Sequence, residues 1–369
     1  MKAVGLQAKK PVWSSIHDDA SLRMSTPFLA FLSLVYRGGI YLRLKAYRRK
    51  LIREQALPGF VISVGNLTAG GTGKTPAVIT LAKWAVGQGY RTAILSRGYG
   101  GRKQKRPLAV SDGSSILEDA SVTGDEPYLM AGAVPGVPVV VFKNRYRAGL
   151  CAKKWFGTDI FLLDDGYQHL HLERDLNIAL VDANNPFGNG HLLPWGPLRE
   201  PIGELKRADA VVLTRYKQGD AAGGTEAFLT KRFPKMPLFQ ANHRPKEVIF
   251  TNASEPRPPE FLRFKRVAAF AGIAHPEVFK KTLENLGAEV VAFREFSDHH
   301  PYTSGDIRSL IQMKRDAGAS FLLTTEKDWV RISDISPAGL DLAYLIIEFA
   351  FSTNGERFFQ MIRDGLEKR

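Results

Sequence analysis

The 369-residue chain has a single cysteine, Cys151, so no disulfide can form within it. That usage fits a reducing compartment, and the lone thiol reads as a small packing side chain. Long hydrophobic runs are also missing. The stretch 28–36 (FLAFLSLVY) holds only nine residues, whereas a helix needs about 20 to cross a bilayer, which excludes a spanning segment. The first 25 residues carry Lys2, Lys9 and Lys10 without an apolar run, and do not read as a secretory signal. Internal repeats and low-complexity tracts are absent. Acidic residues are absent from one long interval, between Asp19 and Glu54.

What is present is an ordinary globular balance, 44% hydrophobic and 24% charged, with a net charge of +14. A surface this basic attracts anionic partners: nucleic acid, acidic headgroups or phosphorylated substrates. No basic stripe interleaved with aromatics occurs, which argues against nucleic acid. From residue 60 onward, short Val/Ile/Leu runs alternate with helical patterns. Strands are expected at 60–64, 92–96, 138–142, 160–163, 178–181 and 210–213, with helices at 74–86 and 145–156. Runs without polar alternation are what strands covered on both faces look like, so an α/β fold with a mostly parallel sheet is expected. Breaks at 217–226 and 252–260 precede a second βα series: strands at 267–270, 290–293 and 321–323, helices at 276–286 and 304–316. Three segments follow: 1–55, a polar start and a helix; 56–240, the main α/β unit; and 241–369, a smaller α/β domain. The Pro/Gly-rich stretch 184–201 is too long for a routine connection and reads as functional.

The first strand runs into GNLTAGGTGKTP, which has the form of a P-loop opening a helix. Glycines let backbone N–H groups surround phosphate oxygens, and the helix N-terminus adds partial positive charge. Thr68, Ala69, Gly70, Gly71, Thr72, Gly73, Lys74 and Thr75 therefore form a nucleotide cradle. Lys74 reaches the β- and γ-phosphates of ATP, and the Thr75 hydroxyl ligates Mg²⁺. The usual glycine six residues before the lysine is replaced by Thr68. A carboxylate is needed at the end of a neighbouring strand, and Asp164-Asp165-Gly166 supplies it, either aspartate serving Mg²⁺. His169 and His171 have no further ligand candidates to make a zinc site.

Together with SRGYGG (96–101), GDEP (124–127), KNR (143–145), DDGYQHL (164–170), LLPWGPLREP (192–201), FAGIAHPEVF (270–279), FSDHHPYT (296–303) and TTEKD (324–328), the loop resembles the tetraacyldisaccharide 4′-kinases of lipid A synthesis. The resemblance covers most of residues 60–328 and accommodates Thr68. It implies a P-loop NTPase-like core with a hinged second domain and a site in the cleft between them. It implies ATP-dependent phosphorylation of an acylated glucosamine disaccharide 1-phosphate at its 4′-hydroxyl. It also implies the cytoplasmic face of the inner membrane of a Gram-negative bacterium, with peripheral or monotopic attachment and no obligate protein partner. On this resemblance Asp125 is the base that takes the hydroxyl proton, and His299, rather than His300, is its partner. Glu126 is a magnesium-linked carboxylate, and Gln168 is placed to contact nucleotide. Arg97, Arg145 and Arg199 are candidates for the substrate's existing phosphate.

Phe28, Phe31, Leu32 and Val35 share one helical face, followed by Arg37, Arg43, Lys45, Arg48, Arg49, Lys50 and Arg53. Apolar residues followed by cations suit a helix lying on an anionic membrane surface. Gly38-Gly39 is expected to break it. The competing reading of the phosphate loop is a GGTGKT-type ATPase or ligase acting on a soluble small molecule, which needs neither GDEP nor Asp298-His299-His300.

Overall fold

The computed structural model describes residues 26–369, apart from 103, 217–219, 254, 338 and 353. The expected polar start at 1–25 lies outside the described residues. The first helix, α1 (Thr26–Arg48), leads to β1 (Phe60–Gly65), α2 (Lys74–Gly87), β2 (Thr92–Ser96) and β3 (Leu108–Ser111). After one helical turn at Ala120–Thr123 come α3 (Asp125–Ala133), β4 (Val139–Val141), α4 (Arg145–Phe156), β5 (Ile160–Asp164), β6 (Leu176–Asp182), β7 (Ala210–Thr214) and α5 (Asp220–Arg232). The series continues with β8 (Leu238–Phe250), β9 (Arg266–Ala271), α6 (Pro276–Asn285), β10 (Glu289–Glu295), α7 (Ser304–Asp316), β11 (Phe321–Thr325), α8 (Glu326–Ile332), β12 (Leu342–Phe351) and α9 (Gly355–Glu367).

Two compact units result. The described part of the first comprises 26–243 and 349–369, and that of the second 244–348. The expected second domain of 241–369 is therefore shorter, because the last strand residues and α9 return to the first unit. They return because α9 is amphipathic. Its Phe358 and Ile362 are buried in one cluster with Phe60, Val64, Leu81, Ile178 and Val212.

In the first unit the strand order is β8-β7-β6-β1-β5-β2-β4-β3. All neighbours are parallel except the antiparallel β3–β4 pair. Every residue of β1, β2, β5 and β7 is buried, as uninterrupted apolar runs require. Each fully buried Val, Ile or Leu here, such as Ile62, Ile94 and Leu162, contributes about 1.5–3 kcal/mol. The second unit has the all-parallel order β10-β9-β11-β12. Val267, Ala269 and Leu323 face one core cluster there, and Ala268, Phe270 and Leu322 the other.

Two expectations fail for the same reason. Gly38-Gly39 does not break α1, which runs unbroken from Thr26 to Arg48. Two mid-helix glycines cost about 1 kcal/mol each against alanine. Anchors on both sides of the pair offset this: Ser33 Oγ donates to Leu192 O (2.9 Å), Tyr36 OH to Arg199 O (3.0 Å) and Arg43 to Gln168 O (2.7 Å). The expected flexible break at 217–226 is occupied from residue 220 by α5. Burial of Ala222 and Leu229, and the bond from Thr225 Oγ1 to Ala183 O (2.8 Å), outweigh Gly223 and Gly224. Cys151, on α4, is half-buried.

Candidate active site

β1 ends at Gly65 and α2 begins at Lys74, so residues 66–73 must turn the chain from strand to helix. Gly73 caps the helix with φ 85°, and a Cβ there would lie 2.1 Å from His243 Nε2. Only glycine fits. No side chain caps this terminus, which leaves the first-turn N–H groups for a ligand. Lys74 Nζ donates to Asn66 Oδ1 (3.1 Å) and lies 3.5 Å from Asp165 Oδ1. Thr75 is buried at the same turn. The long stretch 184–201 is docked on this loop: Ala69 N donates to Pro197 O and Arg199 N to Leu67 O, both at 2.7 Å.

The parallel register sets Val64 beside Asp164, so the phosphate loop and the Asp164-Asp165-Gly166 turn emerge side by side. The two aspartates then diverge. Asp164 is only 3% exposed; its Oδ2 accepts from Ser96 Oγ (2.9 Å), while its Oδ1 is buried with no protein partner. Burial, followed by the charges of Glu126 and Asp165, pushes its carboxyl up to about 7, against Ser96 and Lys74. Asp165, at φ 49°, receives Arg199 Nη1 at 2.9 and 3.1 Å. Burial raises its pKa, but Lys74 and Arg199 outweigh burial and hold it down at about 2. Asp165 is thus a fixed anion that keeps Lys74 and Arg199 in place. Asp164 is a buried oxygen donor whose Oδ1 no protein group engages.

An orphaned carboxylate oxygen, a buried threonine hydroxyl and a nearby glutamate are hard donors of the kind Mg²⁺ takes. The residues present therefore fit the ion, with Asp164 and Thr75 to hold it and Glu126 within electrostatic reach. Among the described residues, no group of three or more His, Cys, Asp or Glu side chains is arranged to hold a metal. Mg²⁺ is commonly held by one or two carboxylates together with phosphate oxygens and water.

Asp125 and Glu126 are the first residues of α3, behind Gly124 (φ 93°). A Cβ on Gly124 would lie 2.2 Å from Tyr99 O, so glycine lets the SRGYGG loop pack its backbone against GDEP. Gln168 Nε2 donates to Asn66 O (2.9 Å), and its Oε1 is buried without a protein partner. Of the three candidate phosphate-binding arginines, Arg199 is engaged by Asp165. Arg145 is buried, donates to Lys143 O (3.2 Å), and is lowered by burial to about 10 against the charges of Asp164 and Asp165. Arg97 is exposed.

In the second unit, His299 takes φ 58°, and its N–H donates to Gly272 O (3.2 Å). Its Nδ1 lies 3.2 Å from Arg331 Nη2. Arginine only donates, so Nδ1 accepts in this contact. Arg331 is held by Asp328 (3.0 Å), whose side chain is fully buried. Asp328 also accepts from Tyr302 OH (3.0 Å), Gly272 N (3.1 Å) and Thr325 Oγ1 (2.7 Å). Burial raises its pKa against these donors. His300 packs against Phe296 and Tyr302 and lies 3.4 Å from Asp306.

Asn66, Ser96, Asp328 and Arg331 were not singled out from the sequence, although the first three lie inside quoted motifs. Thr325-x-x-Asp328 at a helix start is a capping pattern that points to Asp328. Two half-buried histidines whose Nε2 atoms are buried carry a pH prediction. Burial lowers His169 to about 3, helped by Arg145, and lowers His243 to about 4, helped by Arg215. In the unfolded chain both titrate near 6.5. As pH falls from about 6.5 to 4, the unfolded chain takes up protons that the folded one refuses. Stability should therefore fall by up to about 1.4 kcal/mol per pH unit for each histidine. Melting temperature against pH measures this, and His169→Gln should flatten the slope.

A glycine-rich loop feeding a helix, a lysine held over it and an acidic pair at the next strand define a P-loop phosphotransferase. The sequence model of the tetraacyldisaccharide-1-P 4′-kinase family matches residues 25–367. The tetraacyldisaccharide 4′-kinase of Syntrophus aciditrophicus is 44% identical over 344 residues, covering 90% of this chain and 91% of the relative. That of Desulfatibacillum aliphaticivorans is 41% identical over 358 residues, covering 95% of each. A crystal structure of LpxK from Aquifex aeolicus in complex with ATP superposes with a TM-score of 0.73 at 32% identity, covering 92% of this chain and 99% of that one. The chain belongs to the tetraacyldisaccharide 4′-kinase family.

Proposed function

We infer that the chain transfers the γ-phosphoryl group of ATP to the 4′-hydroxyl of tetraacyldisaccharide 1-phosphate, in lipid A biosynthesis. The observation that carries this reading is the pairing of Lys74 with an acidic turn whose buried Asp164 Oδ1 has no protein partner, in a chain similar to these kinases over nearly its whole length. Phosphoryl transfer needs positioning and charge neutralisation more than covalent chemistry. The N–H groups of 70–75 cradle the phosphates, and Lys74 follows the β- and γ-oxygens. Mg²⁺, when bound, neutralises those oxygens and orients them. Asp125 takes the proton as the hydroxyl attacks, and His299 assists it. Gln168 borders the nucleotide. Arg97, Arg145 and Arg199 remain the candidates for the 1-phosphate, Arg97 being the exposed one of the three.

The purified protein, [γ-³²P]ATP, Mg²⁺ and tetraacyldisaccharide 1-phosphate in detergent micelles should yield labelled lipid. ATP binding without label in the lipid would overturn the assignment.

The acceptor's acyl chains call for a lipid surface, and α1 provides one. Phe28, Phe31, Leu34, Val35 and Leu42 are each 58–65% exposed, while Ser33 and Leu44 are buried. No helix among the described residues is long and apolar enough to span a membrane. Attachment is therefore read as peripheral, at the cytoplasmic face of the inner membrane, with the cations of 37–53 adding about 1 kcal/mol each near anionic headgroups. Flotation with phosphatidylglycerol vesicles should be weakened by high salt. Replacing Phe31 and Leu34 with serine should lower it by more than about tenfold, given roughly 1.5–3 kcal/mol per inserted side chain.

A further inference from the structure

Beside the phosphate loop, on the β6–β7 side, lies a group of side chains that the reaction scheme does not use. β6 ends at Asp182 and β7 at Thr214, and Arg215 follows at φ 54°, a left-handed conformation uncommon for a residue of this size. Its guanidinium is shared between two partners. Nη1 pairs with Asp182, and Nη2 donates to Gly71 O at 2.8 Å. The Arg215 carbonyl accepts from Asn184 Nδ2 (3.0 Å), which fixes its backbone as well. His243 closes the other side, its buried Nε2 lying where a Gly73 side chain would be.

We propose that Arg215, oriented by Asp182, is a positioning residue that sets the phosphate loop for nucleotide. The reasoning is geometric. Across a trans peptide the C=O of one residue and the N–H of the next point in opposite directions. Holding the Gly71 carbonyl outward on Arg215 aims the Thr72 N–H inward, toward the phosphates. That peptide follows Gly71, which has no side chain to resist a flip. The loop's polarity is therefore imposed from outside, and a charge-assisted bond to a forked, ion-paired donor is the strong way to impose it. Backbone donors preset in this way lose little on binding. This rests on the reading that residues 68–75 hold the ATP phosphates.

The test separates phosphate from base. Arg215→Ala, Arg215→Lys and Asp182→Asn are compared with the full-length wild type by displacement of a fluorescent ATP analogue, using ATP and inorganic tripolyphosphate as competitors. Arg215→Ala should weaken both competitors by the same factor, roughly tenfold for the loss of one charge-assisted bond. KM for ATP should rise by a similar factor, with kcat at saturation changed less. Arg215→Lys, which keeps one donor, and Asp182→Asn, which frees the fork, should fall between, and they carry the test should the alanine variant fail to fold. Unchanged tripolyphosphate affinity in the variants would overturn the proposal, and weaker ATP alone would move Arg215 to the base or ribose. Failure of wild type to bind tripolyphosphate would instead overturn the phosphate-loop reading, and this inference with it.

Discussion

Replacing Asp125 with asparagine is expected to lower kcat by roughly two to four orders of magnitude, the range for loss of a positioned general base. ATP affinity should change little. A sugar hydroxyl is a poor nucleophile until its proton is accepted, and asparagine keeps the shape of aspartate without that capacity. Asp125 opens α3, where a negative charge is favoured by only about 0.3–1 kcal/mol, so the variant should fold. Its partner in sequence, Glu126, is the group whose charge reaches Asp164. Glu126→Gln should accordingly act on the Mg²⁺ dependence of the rate rather than on proton transfer. Turnover assays at saturating ATP, with nucleotide affinity measured separately, check both. A kcat within about threefold of wild type would remove Asp125 from the proton-transfer step. A collapse of ATP affinity would move it to the metal.

The legible parts of this protein are those in which one short segment dictates its own surroundings. GGTGKT after an apolar run specifies strand, loop and helix at once. IFLLDDG likewise specifies a buried strand ending in acid. What could not be read is what distant segments do to each other. Asp164 and Asp165 are adjacent and chemically identical, yet one is poised near neutrality and the other fixed as an anion. The difference comes from burial and the charge of Glu126 acting on Asp164, and from Lys74 and Arg199, the latter 34 positions away, acting on Asp165. Arg215 reaches Gly71 across 144 positions, and no local pattern announces it. The unbroken α1 shows the same limit, since glycine propensity is visible in the sequence and the anchors at Leu192, Arg199 and Gln168 are not. The return of residues 349–369 to the first unit is a long-range packing result too.

Substituting Asp328 with asparagine should be the most damaging single change to the stability of the second unit. Its side chain is fully exhausted by four partners, and Arg331 beside it is only 6% exposed. Removing one member of such a pair leaves the other charge buried and uncompensated, at a cost of about 3–5 kcal/mol. Hydrogen exchange should rise across 244–348 while 26–243 stays protected. On the proposal that His299 assists Asp125, the effect reaches chemistry as well. Arg331 orients His299, so a folded Arg331→Lys variant should lose kcat with little change in KM for ATP, because lysine cannot bridge Asp328, Gly272 and the imidazole at once. Retention of the wild-type melting profile by Asp328→Asn would contradict the account of this network.

The closing helix has a consequence for the order in which the protein is made. Phe358 and Ile362 fill the same cluster as Phe60 and Val64, beside the loop that carries Lys74. A ribosome that has released the phosphate loop, the acidic turn and all of 244–348 has still not delivered the residues that seal the nucleotide-binding half. Until residues 349–369 emerge, the nascent chain exposes the apolar bed of α9, and α1 has already left the tunnel with its own apolar face uncovered. Early capture of α1 by a lipid surface would then keep the unfinished chain away from its neighbours while translation ends.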